Sequence, residues 1–219
     1  MKKLMQYIVW IGFLIAHVAF GYGNMREKIE TFYCDAYRHF TVNQRMLIAQ
    51  TIQEYAHCNL LISTTGLDSG LWMEINACGN THFLEHDQFW IDLCTKKFPG
   101  INIIKVEYDT RFAQWHDLLH STERSTLMPR SPVSLLSYDY DVIIIDGPES
   151  HPTMPTTVDL IGRMQVFFLA AELFLNTQKT VHLFVHDTDR EMEQVATDTL
   201  IGATYLVWQE DNLRYYRNK

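Results

Sequence analysis

The 219-residue chain has little positive charge: 18 Lys and Arg stand against 26 Asp and Glu, a net charge of −8 with histidine neutral. A nucleic-acid-binding domain normally presents a basic face, so no nucleic-acid partner is expected, although local basic charge at a substrate groove remains compatible with this balance. Cysteine is sparse. Cys34, Cys58, Cys78 and Cys94 form no CxxC pair and no metal-like spacing, which argues against zinc. Two disulfides in any of three pairings, or free buried thiols, both remain open. The chain also lacks a GxGxxG run, internal repeats, low-complexity tracts and any strong linker. At this length it is expected to form one domain with a full core.

One long apolar run is present. Met1-Lys2-Lys3 precedes an apolar stretch from Leu4 to Tyr22, interrupted only by Gln6 and His17. Its length suits a signal anchor, the Ala19-Phe20-Gly21 triplet also suits signal cleavage, and a buried or amphipathic helix is the plain alternative. Lys2 and Lys3 favour a cytoplasmic N-terminus with a lumenal or exported domain. The expected organisation is residues 1–23 as signal anchor or signal peptide, 24–58 as a helical segment, and 59–219 as the main domain.

Within 24–58, Ile29, Phe32, Tyr33, Ala36, Tyr37 and Phe40 recur at helical spacing, and a second helix is predicted over 42–57. From residue 59 the pattern alternates. Strands are predicted at 59–63, 81–87, 101–110, 142–145 and 181–189, with helices at 88–97, 111–121, 158–177 (the longest amphipathic segment) and about 190–199. ATYLVWQE and LRYYRNK then pair through Asp211-Asn212 as an antiparallel hairpin. Alternating β and α units imply a mostly parallel sheet with helices on both faces. A terminal hairpin added to it gives the seven-stranded Rossmann-like methyltransferase arrangement.

The most telling stretch is Tyr138-Asp-Tyr-Asp-Val-Ile-Ile-Ile-Asp-Gly-Pro148. Four apolar residues without alternation suit a strand buried on both faces, and Gly-Pro stops it. Asp146 therefore lies at the carboxyl end of a central strand, where open α/β sheets bind ligands. The other predicted strand ends are also polar: Ser63 to Gly70, Glu85-His86-Asp87, Tyr108-Asp109-Thr110 and His186-Asp187-Thr188-Asp189-Arg190. Either these line a shared crevice or they are ordinary solvated strand ends.

Gly66 suits close approach of backbone to a ligand, whereas Asp68 and Ser69 suit either that ligand or a helix cap. Glu85 lies 19 residues after Gly66, where such folds place an acid on ribose hydroxyls. Asp146 and Asp187 end neighbouring strands. With His186 they suit a divalent cation, or one carboxylate suits a general base, or the pair merely caps strand ends. Arg163 is either a bidentate partner for an anionic sugar or a surface arginine. Pro148 to Pro155 is a stiff loop placed to wall a substrate groove. The DxD triplets at 139–141 and 187–189 resemble those of manganese-dependent nucleotide-sugar transferases, but the first lies on the wrong edge of the sheet.

Taken in order, these blocks resemble the DUF579 polysaccharide biosynthesis family, which includes glucuronoxylan 4-O-methyltransferases and irregular-xylem proteins. The resemblance runs from about Asn59 to Arg190. It is carried by Gly66-x-Asp68-Ser69 with Trp72 and Asn76, Gly79-Asn80-Thr81 with Phe83-Leu84-Glu85, Val106-x-Tyr108-x-Thr110, Tyr138 to Pro148, Gly162-Arg163-Met164, and His182-x-Phe184-x-His186-Asp187 with Asp189-Arg190. It implies a methyltransferase fold and S-adenosylmethionine bound near Gly66, Asp68, Ser69 and Glu85. It further implies acceptor binding and chemistry near Asp146, Arg163, His186 and Asp187, a divalent metal on Asp146 and Asp187, a polysaccharide acceptor such as O4 of glucuronic acid in xylan, and a Golgi membrane location. A non-catalytic, membrane-tethered scaffold in polysaccharide synthesis is the other reading it allows. The chain departs from the family pattern at Thr64, which stands where the first glycine of a Gly-x-Gly usually lies. It departs again at Glu149-Ser150, which replace Arg-Gly and point to an acceptor other than a uronic acid.

Overall fold

The computed structural model describes residues 25–31, 40–123, 127–148 and 160–219. The Leu4–Tyr22 run and most of the Pro148–Pro155 loop lie outside these residues. Among the described residues no helix is long and apolar enough to cross a membrane. The chain divides into two compact units, Met1–Leu47 and Ile48–Lys219.

Helix α1 (Val42–Gln53) opens on a reciprocal cap. The Thr41 hydroxyl accepts from the Gln44 amide at 3.2 Å while the Gln44 side chain accepts from the Thr41 amide at 2.8 Å. These satisfy two of the donors that a helix start leaves open. The helix ends four residues before the predicted 57, and 54–57 form turns instead.

The second unit is built on a seven-stranded sheet, in the order β3-β2-β1-β4-β5-β7-β6. The strands are β1 (Asn59–Ile62), β2 (Asn80–Glu85), β3 (Ile103–Lys105), β4 (Val142–Ile145), β5 (His182–Val185), β6 (Leu206–Glu210) and β7 (Leu213–Arg217). The first five run parallel, and β7 pairs antiparallel with both β5 and β6. This is the predicted α/β, Rossmann-like sheet with a C-terminal antiparallel hairpin. The strand order reverses between β1 and β4, which opens a crevice at their carboxyl ends.

Local chemistry accounts for this order. All four residues of β4 and all four of β5 are buried, as strands in the middle of a covered sheet should be; His182, the one polar residue among them, is paired through Nδ1 with the Tyr215 hydroxyl. At the far edge β6 leaves Leu206, Val207, Gln209 and Glu210 exposed, so the hairpin covers β5 and the sheet ends in a short exposed edge strand of mixed polarity. Between the strands lie α2 (Ser69–Ile75), α3 (Gln88–Lys97), α4 (Trp115–Leu119), α5 (Met164–Leu175) and α6 (Glu191–Leu200).

The strand expected over 181–189 covers only His182–Val185, and three further elements differ. The strand expected over 101–110 is regular only at Ile103–Lys105. Val106 still donates to the Glu85 carbonyl, but Glu107 turns away to pair with Arg130. The helix expected over 111–121 is a 3₁₀ turn at Phe112–Gln114 followed by the single helical turn of α4. The segment expected to be amphipathic over 158–177 is α5, and it is buried nearly all round: of its 12 residues, only Glu172 and Leu175 are not buried. Its flanks meet β4, β5, α4 and α6, so it belongs to the core rather than to a surface layer.

Ile144 is fully buried on β4. Ile144→Ala should lower unfolding free energy by about 2–5 kcal/mol, read as a reduced denaturant midpoint at unchanged m-value.

Candidate functional site

At the end of β4 the backbone is held by one hydroxyl. Ser63 Oγ accepts from the Asp146 and Gly147 amides at 3.0 and 3.1 Å and donates to the Gly147 carbonyl at 2.9 Å. This ties the turn after β4 to the residue that follows β1 in the chain. Gly147 is required there: a Cβ on it would lie 2.6 Å from Thr64 Cβ. The Asp146 side chain is thereby held at the crevice, 16 % exposed.

The neighbouring strand delivers its partners. His186 continues the β5 pairing by donating its amide to the Ile145 carbonyl. Its Nδ1 lies 2.9 Å from Asp146 Oδ1 and 3.2 Å from Asp187 Oδ1. Asp187 adopts a left-handed backbone, φ 62°, a conformation uncommon outside glycine, asparagine and aspartate. That kink swings its carboxylate back beside His186 instead of across the sheet. The two carboxylates of adjacent strands are thus brought together through one imidazole.

Behind Asp187 lies a buried cation. Arg163, the residue before α5, is 2 % exposed. It donates Nε to the Pro148 carbonyl and Nη2 to Asp187 Oδ2, both at 2.7 Å, with Glu193 Oε1 3.5 Å from Nη1. Arg163, expected either as a sugar partner or as a surface arginine, is buried with its fork turned inward onto Asp187 and the Pro148 turn. Arg190 also meets Asp187 Oδ2, at 3.1 Å, and its side chain is 23 % exposed.

Charge follows from these contacts. Burial alone would lower the His186 pKa. Hydrogen bonds to Asp146 and Asp187, with the charges of both, outweigh burial and raise it to about 9. Burial pushes Asp187 up, but His186, Arg163 and Arg190 hold it well below the ordinary carboxylate range. Burial raises the Glu193 carboxyl, and the nearby Arg163 only partly offsets this.

The donor set also fits a cation. Asp146, His186 and Asp187 offer one ligand atom each, all within 4.8 Å of one another. Neighbouring ligands of a cation with bonds near 2.1 Å stand about 3 Å apart, and the two nitrogen–oxygen spacings match that edge. Two carboxylates and one imidazole suit borderline divalent ions.

Across the crevice, the loop after β1 is fastened to the end of β2. Glu85 is 2 % exposed. Its Oε2 accepts from the Thr65 amide, the Thr65 hydroxyl and the Thr64 hydroxyl at 3.0, 2.8 and 3.2 Å. Its Oε1 accepts from the His86 and Asp87 amides at 2.8 and 2.9 Å. Burial pushes its pKa up, and these bonds together with His86 bring it down to about 2. Glu85 is spent on the chain itself, so a ribose hydroxyl would have to displace a threonine hydroxyl to reach it. The Gly66 amide donates to Ser69 Oγ, and Asp68 accepts from Trp72 Nε1. Asp68 occupies the N-cap position of α2 without a side-chain cap bond.

Sequence reasoning missed several members of this edge. Nothing in the local pattern sets Ser63 apart from the rest of the first loop. Gln165, fully buried, accepts from Asp109 and Thr110 and donates back to Asp109, fixing the turn after β3. Asn212 is a turn residue by its sequence, yet its Nδ2 lies 2.9 Å from His186 Nε2. A buried polar residue in an apolar helix signals Gln165. Nothing in the local pattern distinguishes Asn212 from any hairpin asparagine. The three described cysteines, Cys58, Cys78 and Cys94, are free thiols.

A Rossmann-like sheet with paired acids at the ends of β4 and β5 defines the class, and comparison with known proteins supplies the family. The IRX15/IRX15L/GXM family model matches residues 43–216, and the chain belongs to this family. It is 30 % identical over 192 residues to glucuronoxylan 4-O-methyltransferase 3 of Arabidopsis thaliana, covering 80 % of this chain and 63 % of that protein. It is 29 % identical over 177 residues to arabinogalactan O-methyltransferase 2 of the same plant, covering 71 % and 59 %. Protein IRREGULAR XYLEM 15, also from that plant, is 26 % identical over 200 residues, covering 81 % and 60 %. The chain thus spans about three-fifths of the length of these relatives.

The Glu85 bonds make a pH prediction. A carboxyl whose folded pKa is depressed stabilises the fold above its unfolded value near 4.5 and loses that contribution as pH falls towards about 2. Wild-type unfolding free energy should fall by on the order of 3 kcal/mol across that window. Glu85→Gln should start less stable at pH 7 and lose less on acidification, as measured by denaturant unfolding.

Proposed function

We propose that the chain is an S-adenosylmethionine-dependent O-methyltransferase acting on a sugar hydroxyl of a polysaccharide. One observation carries this reading: Asp146, His186 and Asp187 converge at the carboxyl ends of β4 and β5, beside the β1–β4 switch point. The names of the relatives support the reaction class, and they point to glucuronoxylan and arabinogalactan as the first acceptors to test. The apolar Leu4–Tyr22 run supports a signal anchor, and a Golgi membrane location is what the family resemblance implies.

S-adenosylmethionine would supply a methyl group already activated on its sulfonium, so the chain contributes orientation and electrostatics. In this reading Gly66, Asp68 and Ser69 line the cofactor side of the crevice. Thr64 and Thr65 hold Glu85 behind that loop until ribose hydroxyls replace them. Asp146, the more exposed of the two site acids, accepts the hydrogen bond of the acceptor hydroxyl and takes its proton as the methyl is transferred. His186 and Asp187 fix the direction of that carboxylate. A divalent cation on Asp146, His186 and Asp187 would add Lewis acidity at the same place. Arg190, part-exposed on Asp187, is the cation placed to meet an anionic acceptor, while Arg163 supports Asp187 from behind.

A second reading, a non-catalytic scaffold for polysaccharide synthesis, is favoured by Thr64, whose hydroxyl already occupies Glu85. Calorimetry with S-adenosylmethionine separates the two: binding supports the enzyme, and no heat at millimolar cofactor supports the scaffold. With labelled S-adenosylmethionine and both polysaccharides, Asp146→Asn should cut turnover at least ~100-fold with cofactor affinity unchanged. Full turnover in both Asp146→Asn and Asp187→Asn would defeat the site assignment.

A further inference from the structure

We propose that Asn212, on the turn of the C-terminal hairpin, is a positioning residue that makes His186 Nδ1 the nitrogen offered to the site. The inference rests on the methyltransferase reading with its cation site and deepens it. Asn212 makes two separate hydrogen bonds to the segment that ends β5. Its backbone carbonyl accepts from the Thr188 amide at 2.9 Å, and its side-chain amide lies 2.9 Å from His186 Nε2. The first bond fixes where the turn sits against residues 187–190. The second fixes the imidazole about its own axis. Rotating that ring by a half-turn would bring carbon to face Asn212 and remove Nδ1 from between Asp146 and Asp187.

The chemistry of the amide suits this role. With Nδ2 facing the ring, it donates to the bare Nε2 of a neutral imidazole, and Nδ1–H then lies between the two carboxylates; when both ring nitrogens carry hydrogen, the amide must turn so that Oδ1 faces Nε2. After a half-turn of the amide, Oδ1 accepts from Nε2–H, and the Nδ1 lone pair points at a cation. Metal-bound imidazoles generally hand their second N–H to an oxygen of this kind, which fixes their orientation and basicity. The preceding Asp211 has φ 51°, so the turn is shaped to lead the chain directly into Asn212. The hairpin that closes the sheet therefore also supplies a member of the site.

The test uses the full chain as wild type, Asn212→Leu and Asn212→Asp, with thermal midpoints measured first to confirm folding. Nitrogen-15 NMR of the histidine rings, without metal, should show that Asn212→Leu moves the His186 signals and leaves those of His82 and His182 in place. Calorimetric titration with Co²⁺ should show roughly 10–100-fold weaker binding in Asn212→Leu, restored in Asn212→Asp, whose oxygen can still accept from Nε2–H. Unchanged His186 ring signals together with wild-type Co²⁺ affinity in Asn212→Leu would overturn the proposal. If the wild type itself takes no Co²⁺, the cation reading fails separately, and the NMR comparison alone decides the role of Asn212: moved His186 signals uphold it and unmoved signals overturn it.

Discussion

The site depends on one buried ion pair, Arg163 with Asp187. Both side chains are almost wholly out of water, at 2 % and 8 % exposure. A charge so placed is tolerable only when paired and hydrogen-bonded, and each partner is: Arg163 also reaches the Pro148 carbonyl and Glu193, and Asp187 also reaches His186 and Arg190. Removing either partner leaves the other stranded. The pair therefore constrains three things together: the turn after β4, the start of α5 and the kink after β5. Because Asp187 is held from behind, its other oxygen is left to face His186, and His186 in turn faces Asp146.

This arrangement divides the acids into different roles although they are alike in sequence. Glu85 and Asp187 are nearly inaccessible and are held ionised by donors from the chain itself. Asp146 has its backbone fixed by Ser63 while its carboxylate keeps some exposure. Groups that support and a group that can meet a ligand are thus separated by burial and not by residue type, as general acid–base sites commonly require.

Much of the fold was legible in the sequence, because strand hydrophobicity is a short-range signal. VIII of β4 and LFV of β5 are continuous apolar runs bounded by polar residues, and each appears where its run lies. The hairpin was equally plain, with the Asp211-Asn212 turn between ATYLVWQE and LRYYRNK. The environment of each side chain was less legible. Arg163 reads as a surface cation because its neighbours along the chain do not reveal that Asp187, 24 residues away, will be folded against it. Glu85 reads as a ribose acid by its offset from Gly66, yet its five chain donors come from loops whose convergence is a tertiary fact. The buried circumference of α5 was masked because a helix packed on several sides has no polar face to mark its period. Asn212 was hidden for a further reason: its turn role and its contact with His186 use different parts of the same residue.

The Ser63 hydroxyl gives the two halves of the crevice a common mechanical joint. Ser63 precedes Thr64 and Thr65, which grip Glu85, and its own oxygen holds the amides of Asp146 and Gly147. A ligand that loosens the threonines on one side would therefore pull on the acid-bearing turn through the residue next to them. Equilibrium linkage makes such an influence reciprocal: whatever occupancy of the first loop does to the affinity at Asp146, occupancy at Asp146 does in equal measure to the first loop. In the proposed reaction, the order in which donor and acceptor arrive then changes the path taken but not the free energy of the ternary complex.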